Sequence, residues 1–479
     1  MHILIPVFFN APLGGLHENV LSTALYCKMN NFKVTVLCKS GAFQEKLEKL
    51  GVKVITTDYS DHDLPETIRK VNDLNKKEKI DLIHTHPFAS RKYAQHIARV
   101  FKIPLFLTVH GKHTNNIESY IDEIDLVFTV SEGIKDFLLE HLTSKHAEDF
   151  KHKFFVIPNG VNTNKFRAMV QKVEDDKTQR NQPNDTLTLS LVSRLDLDKQ
   201  FIIDIFYKAL SFTSKNHPNI NWRIVGEGTQ KNIMKDKVKE ITLGKTLVNF
   251  VGWKEGDELK KEYQTSDIVL APGRCALEAM ACGKPVIALG SKGYIGLINE
   301  SNWLKGVYSN FGGLGSKMEG YQNGSVEDDL KTVIEGSDNR LALGNLSLKL
   351  IEQFYNENKI NERLIGFYRM HKHFRKTETN LPPEALEAYL LKTNLINFDC
   401  SQVDKNAYRF TINCISIEGL QFAWYIYKDN KLYKKISYSE DNTLQFTFTE
   451  SGKYRLKYYV KKPETSTIIS FNSNYLNIN

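Results

Sequence analysis

The sequence of 479 residues is poor in cysteine, and its six cysteines form no C-x-x-C pair. This excludes a disulfide framework and a zinc ribbon, and it predicts a protein of a reducing cytosol. No apolar run reaches the ~18 residues that a membrane-spanning helix needs, so none is expected. The first residues, MHILIPVFF, have no Lys or Arg before their apolar stretch. They predict a first strand and not a signal peptide.

The charge balance is also modest, because 64 basic residues face 56 acidic ones for a formal net charge of +8. Basic runs such as Arg69–Lys79 and His371–Lys376 are typical of solvated helix faces. Their functional alternative is attraction to an anionic membrane surface or an acidic glycan. A nucleic-acid partner is not expected, because no recognised nucleic-acid module is present.

Residues 1–168 alternate between short apolar runs and helix-like stretches such as His17–Asn30 and Ser90–Phe101. This alternation indicates βαβ crossovers and a parallel sheet in a first Rossmann-like domain. The apolar runs are HILIPV, KVTVLC, VKVITT, DLIHTH, PLFLTVH, DLVFTV and KFFVIP.

After a polar segment, Met169–Thr186, that predicts a linker, the same alternation returns in residues 187–380. It predicts a second Rossmann-like domain, with Arg340–Lys376 helical, and a ligand cleft where the two domains face each other. The strand-like runs are LTLSLV, WRIVG, LVNFVG, DIVLAP and KPVIAL.

Residues 399–479 change character, with Tyr-, Phe- and Thr-rich runs separated by Asp-Asn and Ser-Gly turns. The period-two alternation around Trp424 predicts about seven strands in an antiparallel β-sandwich. Tyr454 resembles the tyrosine corner of immunoglobulin-like domains. This region is expected to stabilise the chain passively, to bind acceptor glycan by stacking, or to join subunits, and the sequence leaves these alternatives open.

The most informative segment, LAPGRCALEAMACGKPVIALG, runs from Leu270 to Gly290. It predicts a strand, a Pro-Gly break and a helix whose first amides, at Gly273, Arg274, Cys275 and Ala276, face a phosphate. Glu278, about one turn further, is placed to accept hydrogen bonds from a ribose. Arg194 and Lys199 follow another strand and are suited to clamping one pyrophosphate. The alternatives are a plain core helix and two solvated cations.

Seven short segments follow one another along the chain: Gly14-Gly15, Thr108–Gly111, Val156–Val161, Arg194 with Lys199, Val225–Gly228, Phe250–Trp253 and Leu277–Ala281. In this order they resemble retaining glycosyltransferases of family 4 with the GT-B fold, over Met1 to about Phe374. The resemblance implies that His110 contacts the donor sugar, that Gly14 and Gly15 let the backbone approach the donor, and that Glu227 borders the base.

One departure from the family concerns the donor sugar. The family carries a second Glu eight positions before the one matched by Glu278, and Leu270 stands there. Arg274 is the candidate for a replacement contact. The interpretations of Gly14-Gly15 as a simple turn, of His110 as a hydrogen-bonded strand-end histidine and of Glu227 as part of a plain turn stay open.

The combined expectation is a cytoplasmic, metal-independent, retaining hexosyltransferase, peripheral at the inner face of a membrane. It would transfer a sugar from a nucleotide-sugar substrate, UDP-linked, to a cell-surface glycan, glycolipid or lipid-linked precursor, with no cofactor. The alternative is a nucleotide-sugar- or glycan-binding protein with impaired catalysis. Asp196-x-Asp198 has the spacing of a metal motif, but two cations beside it would replace a metal. Oligomers would form through the C-terminal β domain.

Overall fold

The computed structural model describes residues 1–8, 14–167, 186–291, 293–312, 321–374, 387–388, 391–392, 395–414, 417 and 419–478. Most of the predicted linker, Met169–Thr186, lies outside the described residues. The chain divides into two compact units. One comprises Met1–Asn10, Phe32–Leu105 and His371–Asn479, and the other comprises Ala11–Asn31 and Phe106–Met370.

Seven short strands match the seven apolar runs predicted in the first part of the chain. In the first unit, β1 pairs in parallel with β2 and β4, and β2 pairs in parallel with β3. In the second unit, β6 lies between β5 and β7, again in parallel. The strands are β1 His2–Pro6, β2 Lys33–Cys38, β3 Lys53–Thr56, β4 Leu82–Thr85, β5 Leu105–Val109, β6 Leu126–Thr129 and β7 Phe154–Val156.

Helices separate most of these strands and make the crossovers that parallel pairing requires. The fifth helix begins at an N-cap serine, Ser131, whose hydroxyl accepts a hydrogen bond from the Ile134 amide at 3.4 Å. The helices are α1 Gly15–Met29, α2 Ala42–Lys49, α3 Leu64–Lys77, α4 Ala89–Phe101, α5 Glu132–Glu140, α6 Ser144–Phe150 and α7 Thr163–Arg167.

The second parallel sheet lies wholly in the second unit and has the strand order β10-β9-β8-β11-β12-β13. The predicted strands β8 to β12 are all present, and β13, which the sequence analysis missed, pairs antiparallel to β12. The order reverses between β8 and β11, which makes this point a topological switch. The strands are β8 Thr188–Val192, β9 Asn221–Val225, β10 Val248–Gly252, β11 Ile268–Ala271, β12 Val286–Gly290 and β13 Gly293–Leu297.

Buried apolar side chains fix this sheet to its helices. Trp222 packs edge-on against Phe206, with the two ring centres 5.2 Å apart.

The last long helix of the unit, α15, follows Asn356, whose side chain caps the Asn358 and Lys359 amides. The helices are α8 Gln200–Asn216, α9 Lys231–Thr242, α10 Gly256–Thr265, α11 Gly273–Ala281, α12 Trp303–Tyr308, α13 Ser325–Ile334, α14 Ser337–Leu350 and α15 Glu357–Arg369, followed in the first unit by α16 His371–Phe374.

The C-terminal region forms two antiparallel sheets that share one apolar core. One sheet has the order β14-β15-β18, and the other has the order β17-β16-β19-β20, with β21 pairing with β19. The first strand begins at Leu395, four residues before the predicted start. The strands are β14 Leu395–Asp404, β15 Ala407–Cys414, β16 Gln421–Lys428, β17 Lys431–Ser439, β18 Thr443–Thr447, β19 Gly452–Lys462, β20 Thr467–Asn472 and β21 Leu476–Ile478.

The tyrosine corner predicted at Tyr454 is confirmed. Its hydroxyl donates a hydrogen bond to the Glu450 carbonyl at 2.9 Å, and its ring is buried. Trp424 is buried in the same core, as its period-two pattern predicts. The fold therefore consists of two parallel-sheet, Rossmann-like parts and an antiparallel β region. Within the described chain, no helix combines the length and the apolar character needed to cross a bilayer.

Replacing Tyr454 by Phe should weaken the β region by about 1 kcal/mol, because the hydrogen bond from the buried tyrosine to the Glu450 carbonyl is lost. Hydrogen exchange of the Gly452–Lys462 peptides measures this loss as faster exchange. Tyr475→Phe is the matched control, because its hydroxyl bonds Asn430 at the exposed surface. Equal exchange in both variants would contradict the structural role of the corner.

Candidate functional site

The carboxyl ends of strands β8 to β12 lie at one edge of the second sheet, because these strands are parallel. The predicted residues Arg194, Lys199, Glu227 and Gly273 all follow those ends. In open α/β sheets, ligands bind at this edge, next to the point where the strand order reverses. The edge beside β8 and β11 is therefore the candidate site.

The two predicted clamp cations are held by acidic residues of their own segment. The Arg194 guanidinium donates to Asp196 at 2.9 Å and to Asp198 at 3.0 Å. The Lys199 ammonium lies 2.9 Å from the same Asp198 oxygen and donates to Ser291 Oγ at 2.7 Å. Burial raises the pKa of Asp198, but the Lys199 hydrogen bond and both cations outweigh it, so the pKa is lowered overall. The segment presents two cations and two carboxylates as one neutral cluster.

The Gly-Glu-Gly turn after β9 packs directly on this segment. A Cβ at Gly226 would lie 1.9 Å from the Ser193 carbonyl oxygen, and one at Gly228 would lie 2.3 Å from the Leu195 carbonyl carbon. The turn is fixed further because the Leu195 amide donates to the Glu227 carbonyl at 2.9 Å. The Glu227 carboxylate hydrogen-bonds Lys231. Glycine is required at both flanking positions, since any side chain would separate the turn from the clamp segment.

Helix α11 begins directly after β11, with Pro272 as its N-cap. The first amide, at Gly273, donates to the Phe311 carbonyl at 2.8 Å, so this carbonyl satisfies one of the amides of the helix start. Arg274, Cys275 and Ala276 complete the first turn, as predicted. Burial and then the Glu278 carboxylate raise the pKa of the Cys275 thiol to about 12, so the thiol is neutral at ordinary pH.

The Glu278 carboxylate is buried and bonded on both oxygens. One accepts from Arg274 Nε at 2.8 Å, and the other accepts from the Tyr263 hydroxyl at 3.1 Å. Arg274 also donates to the Gly160 carbonyl at 3.2 Å. Arg274 thus bonds a side chain of its own helix and the backbone of a segment more than a hundred residues away.

The predicted Gly14-Gly15 pair lies at the start of α1 and meets the same arginine. A Cβ at Gly15 would lie 3.3 Å from Arg274 Cδ. The Gly14 amide donates to the ring of His17 at 3.1 Å. Three segments of the resemblance, around Gly15, Gly160 and Glu278, therefore converge on the Arg274 side chain.

Two loops join the clamp segment to the α11 start. Lys199 bonds Ser291. The neighbouring Gly290 packs closely on Gly312, because a Cβ added at Gly290 would lie 1.3 Å from the Gly312 carbonyl oxygen. Phe311, next in the chain, accepts the Gly273 amide. The cations at 194 and 199 and the helix start at 273 are thus parts of one contact network.

His110 follows the carboxyl end of β5 and is half-buried. Its pKa is lowered to about 4, chiefly by burial; a hydrogen bond with Asn159 acts in the opposite direction, and the nearby His113 contributes to the lowering. The imidazole is therefore neutral at neutral pH. A neutral ring can donate and accept hydrogen bonds to hydroxyl groups, as a contact with a sugar would require.

The position of the missing family carboxylate lies inside a strand. Leu270 is completely buried in β11, and only Pro272 separates that strand from α11. No loop is present there to carry a second acidic side chain. Among the described residues, no group of three or more His, Cys, Asp or Glu side chains is arranged to hold a metal ion.

Some residues that make contacts in the candidate site were not predicted individually from the sequence, namely Asn159, Gly160, Tyr263, Ser291 and Phe311. Asn159 and Gly160 belong to a quoted motif, and the i,i+4 spacing of Arg274 and Glu278 indicates an ion pair on one helix face. Tyr263, Ser291 and Phe311 act through contacts distant in sequence, and no local pattern marks them.

The fold is that of a Rossmann-like α/β protein with a candidate ligand-binding edge at its second sheet. Family models agree with this class. The model for Glycosyltransferase Family 4 matches residues 13–165, and the model for glycosyl transferases group 1 matches residues 151–309. An Escherichia coli UDP-Gal:alpha-D-GlcNAc-diphosphoundecaprenol alpha-1,3-galactosyltransferase is 26% identical over 234 residues. The alignment spans 45% of this chain and 59% of that relative, so the chain covers under two thirds of its length.

Solved structures show the same fold. A glycosyltransferase from Rickettsia africae superimposes with a TM-score of 0.61 and 19% identity, covering 78% of this chain and 98% of that one. HepE of Anabaena, solved with UDP, gives a TM-score of 0.58 and 18% identity, covering 77% and 100%. The chain therefore resembles glycosyltransferases of family 4, and its fold is of the GT-B class.

Acidification should destabilise the protein through His110. Its lowered pKa means that the unfolded state binds the proton first, so its contribution is complete above pH ~6.5 and falls as the pH drops toward 4. Between pH 7 and pH 5 the loss should be about 1–2 kcal/mol. Urea unfolding at both pH values measures it. The His110→Gln variant should lose less stability over this interval, and an unchanged pH dependence would contradict the assignment.

Proposed function

We propose that this glycosyltransferase is a retaining hexosyltransferase that takes its sugar from a UDP-linked donor. The acceptor is a cell-surface glycan, a glycolipid or a lipid-linked precursor, reached by a cytoplasmic enzyme at the inner face of the membrane. The observation that carries the proposal is the contact network joining Arg194 and Lys199 to the start of α11. It brings two cations and a helix N-terminus to one sheet edge, where a diphosphate would be held.

The donor and acceptor classes have separate support. The Anabaena structure contains UDP. The name of the Escherichia coli relative specifies a UDP-sugar donor and a diphosphoundecaprenol acceptor. Both proteins are distant from this chain, so base, sugar and acceptor belong to the proposal.

The proposed step breaks the bond between the sugar C1 and the β-phosphate oxygen and forms a C1–O bond to the acceptor on the same face. The bonding electron pair leaves with the diphosphate, and the proton of the acceptor hydroxyl passes to the departing β-phosphate oxygen. Negative charge grows on the β-phosphate oxygen, where Arg194, Lys199 and the amides of Arg274 and Cys275 would stabilise it, since the Gly273 and Ala276 amides already bond the Phe311 and Pro272 carbonyls. Neutral His110 would hold a sugar hydroxyl. Glu278 would reach a ribose only by exchanging one of its present partners, Arg274 or Tyr263.

A second candidate function is nucleotide-sugar or glycan binding with impaired catalysis. Two observations favour it. Leu270 occupies the place of the family carboxylate and is buried in β11. The clamp cations are already neutralised by Asp196 and Asp198. This candidate predicts that the protein binds UDP but releases none from UDP-sugars in the presence of acceptor.

Replacing Arg194 or Lys199 by Ala should lower transfer by roughly 10²–10³-fold, because each cation stabilises charge that develops on the departing diphosphate. The measurement is UDP release from a panel of UDP-sugars incubated with lipid-linked and free glycan acceptors. Circular dichroism checks that the variants keep the fold.

The matched control is Lys237→Ala, since Lys237 is an exposed lysine paired with Glu240 on α9, outside the network. Its rate should equal that of the unchanged protein. Near-normal transfer in both clamp variants would reject the clamp. UDP binding without any release would favour the second function.

Transfer should continue undiminished in EDTA, because two cations, and not a metal ion, would neutralise the leaving diphosphate. The assay is the same UDP release with and without chelator. Loss of activity that added Mn²⁺ restores would overturn the metal-independent mechanism and return Asp196 and Asp198 to consideration as ligands.

A further inference from the structure

The larger sheet of the C-terminal β region has an outer face with an unusual charge distribution. Its five strands, β16, β17, β19, β20 and β21, contain nine lysines and arginines and no aspartate or glutamate. Of the nine, Lys428 pairs with Glu450 and Lys462 with Glu387. Within the described chain, no ion pair joins the other seven to a carboxylate.

Alternation along β19 places Lys453, Arg455, Lys457 and Lys461 on one face of the sheet. Tyr454, Leu456, Tyr458 and Val460 enter the core of the β region. The intervening side chains must point to the opposite face. Register places Tyr425 of β16 between Lys435 of β17 and Lys457 of β19. We call this outer surface the tyrosine–lysine face; it comprises Tyr425, Lys435, Arg455, Lys457, Tyr459 and Lys461.

Two lysines of this face contact its tyrosine rings. The Lys435 ammonium lies 5.0 Å from the Tyr425 ring centre, and that of Lys457 lies 5.3 Å from the Tyr459 ring centre. The two tyrosine rings lie 4.8 Å apart. Such cation–π contacts order a flexible lysine without neutralising it. Each pair therefore offers a phenol hydroxyl and a positive charge side by side.

From this surface we infer that the tyrosine–lysine face binds an acidic glycan, one that carries carboxylate or phosphate groups between its hydroxyls. Charge complementarity requires an anionic partner, since the face has cations and no carboxylate. The phenol hydroxyls suit hydrogen bonds with sugar hydroxyls. Cations at alternate positions of β19 form a line that matches a linear polymer with regularly spaced acidic groups.

Two other anionic partners fit less well. A membrane-binding face needs apolar side chains that enter the bilayer together. The exposed Leu432 and Ile468 stand on β17 and β20, with β16 and β19 between them. Single-stranded nucleic acid needs open aromatic rings for stacking bases, whereas the rings of Tyr425 and Tyr459 each carry a lysine.

The test measures binding by the intact protein, without donor, of a uronate polymer such as polygalacturonate. Neutral dextran, oligodeoxythymidylate and phosphatidylglycerol vesicles are the comparison probes. Polygalacturonate should bind most tightly, and rising salt should weaken it. The charge variant Arg455→Gln with Lys457→Gln should weaken binding by about tenfold or more. The single variant Lys435→Gln, on the edge strand, should weaken it less.

A tyrosine variant, Tyr425→Leu with Tyr459→Leu, removes both phenol hydroxyls, so it separates sugar recognition from bare charge and should also lose affinity for the uronate polymer. The matched control is Lys237→Gln with Lys239→Gln, two exposed lysines of α9 that each pair with an acidic neighbour. This control should bind as the unchanged protein does.

Three results would overturn the inference: tighter binding to vesicles or oligodeoxythymidylate, full binding by the charge variant, or full binding by the tyrosine variant. None of these measurements uses the donor site. A failure of the proposed transfer reaction would therefore leave the binding result unaffected.

Discussion

The buried ion pair between Arg274 and Glu278 is the interaction on which the candidate site depends. A buried pair stabilises a structure only when further hydrogen bonds satisfy both charges. Here Tyr263 bonds the carboxylate and the Gly160 carbonyl bonds the guanidinium. Gly15 leaves room for the arginine side chain. The ion pair thus connects the start of α11 to Gly160 and Tyr263 by hydrogen bonds and to Gly15 by close packing.

The clamp segment illustrates a different constraint, since its cations and carboxylates neutralise each other. Asp198 bridges Arg194 and Lys199 at the place where a diphosphate is proposed to bind. An incoming phosphate would replace carboxylate oxygens and not water alone. The carboxylate pairs keep both cations ordered before a phosphate binds. They also reduce the net free energy gained on binding, because one set of charge-assisted hydrogen bonds is given up for another.

Much of the fold could be predicted from the sequence, because apolar runs of five to seven residues separated by helical stretches specify β1 to β12. The buried Trp424 followed from period-two alternation, and the tyrosine corner followed from the resemblance of Gly452–Leu456 to immunoglobulin-like domains. Strand β13 escaped prediction because its short GYIGL run has no helix before it, and its antiparallel pairing depends on β12. Of the site, the glycines and charged residues could be identified in advance. The Ser291 and Phe311 contacts could not, since they depend on where two distant loops meet.

The close packing at Gly160 has a mechanical consequence. A Cβ there would lie 2.5 Å from the Glu357 Cα, and the Val161 amide donates to the Tyr355 carbonyl at 2.7 Å. Two chain segments nearly two hundred residues apart therefore cross without any side chain between them. Such a crossing fixes the two segments against each other, because the Glu357 amide also donates to the Val161 carbonyl at 3.1 Å. The Gly160 carbonyl bonds Arg274, so a single guanidinium ties the first turn of α11 to this crossing.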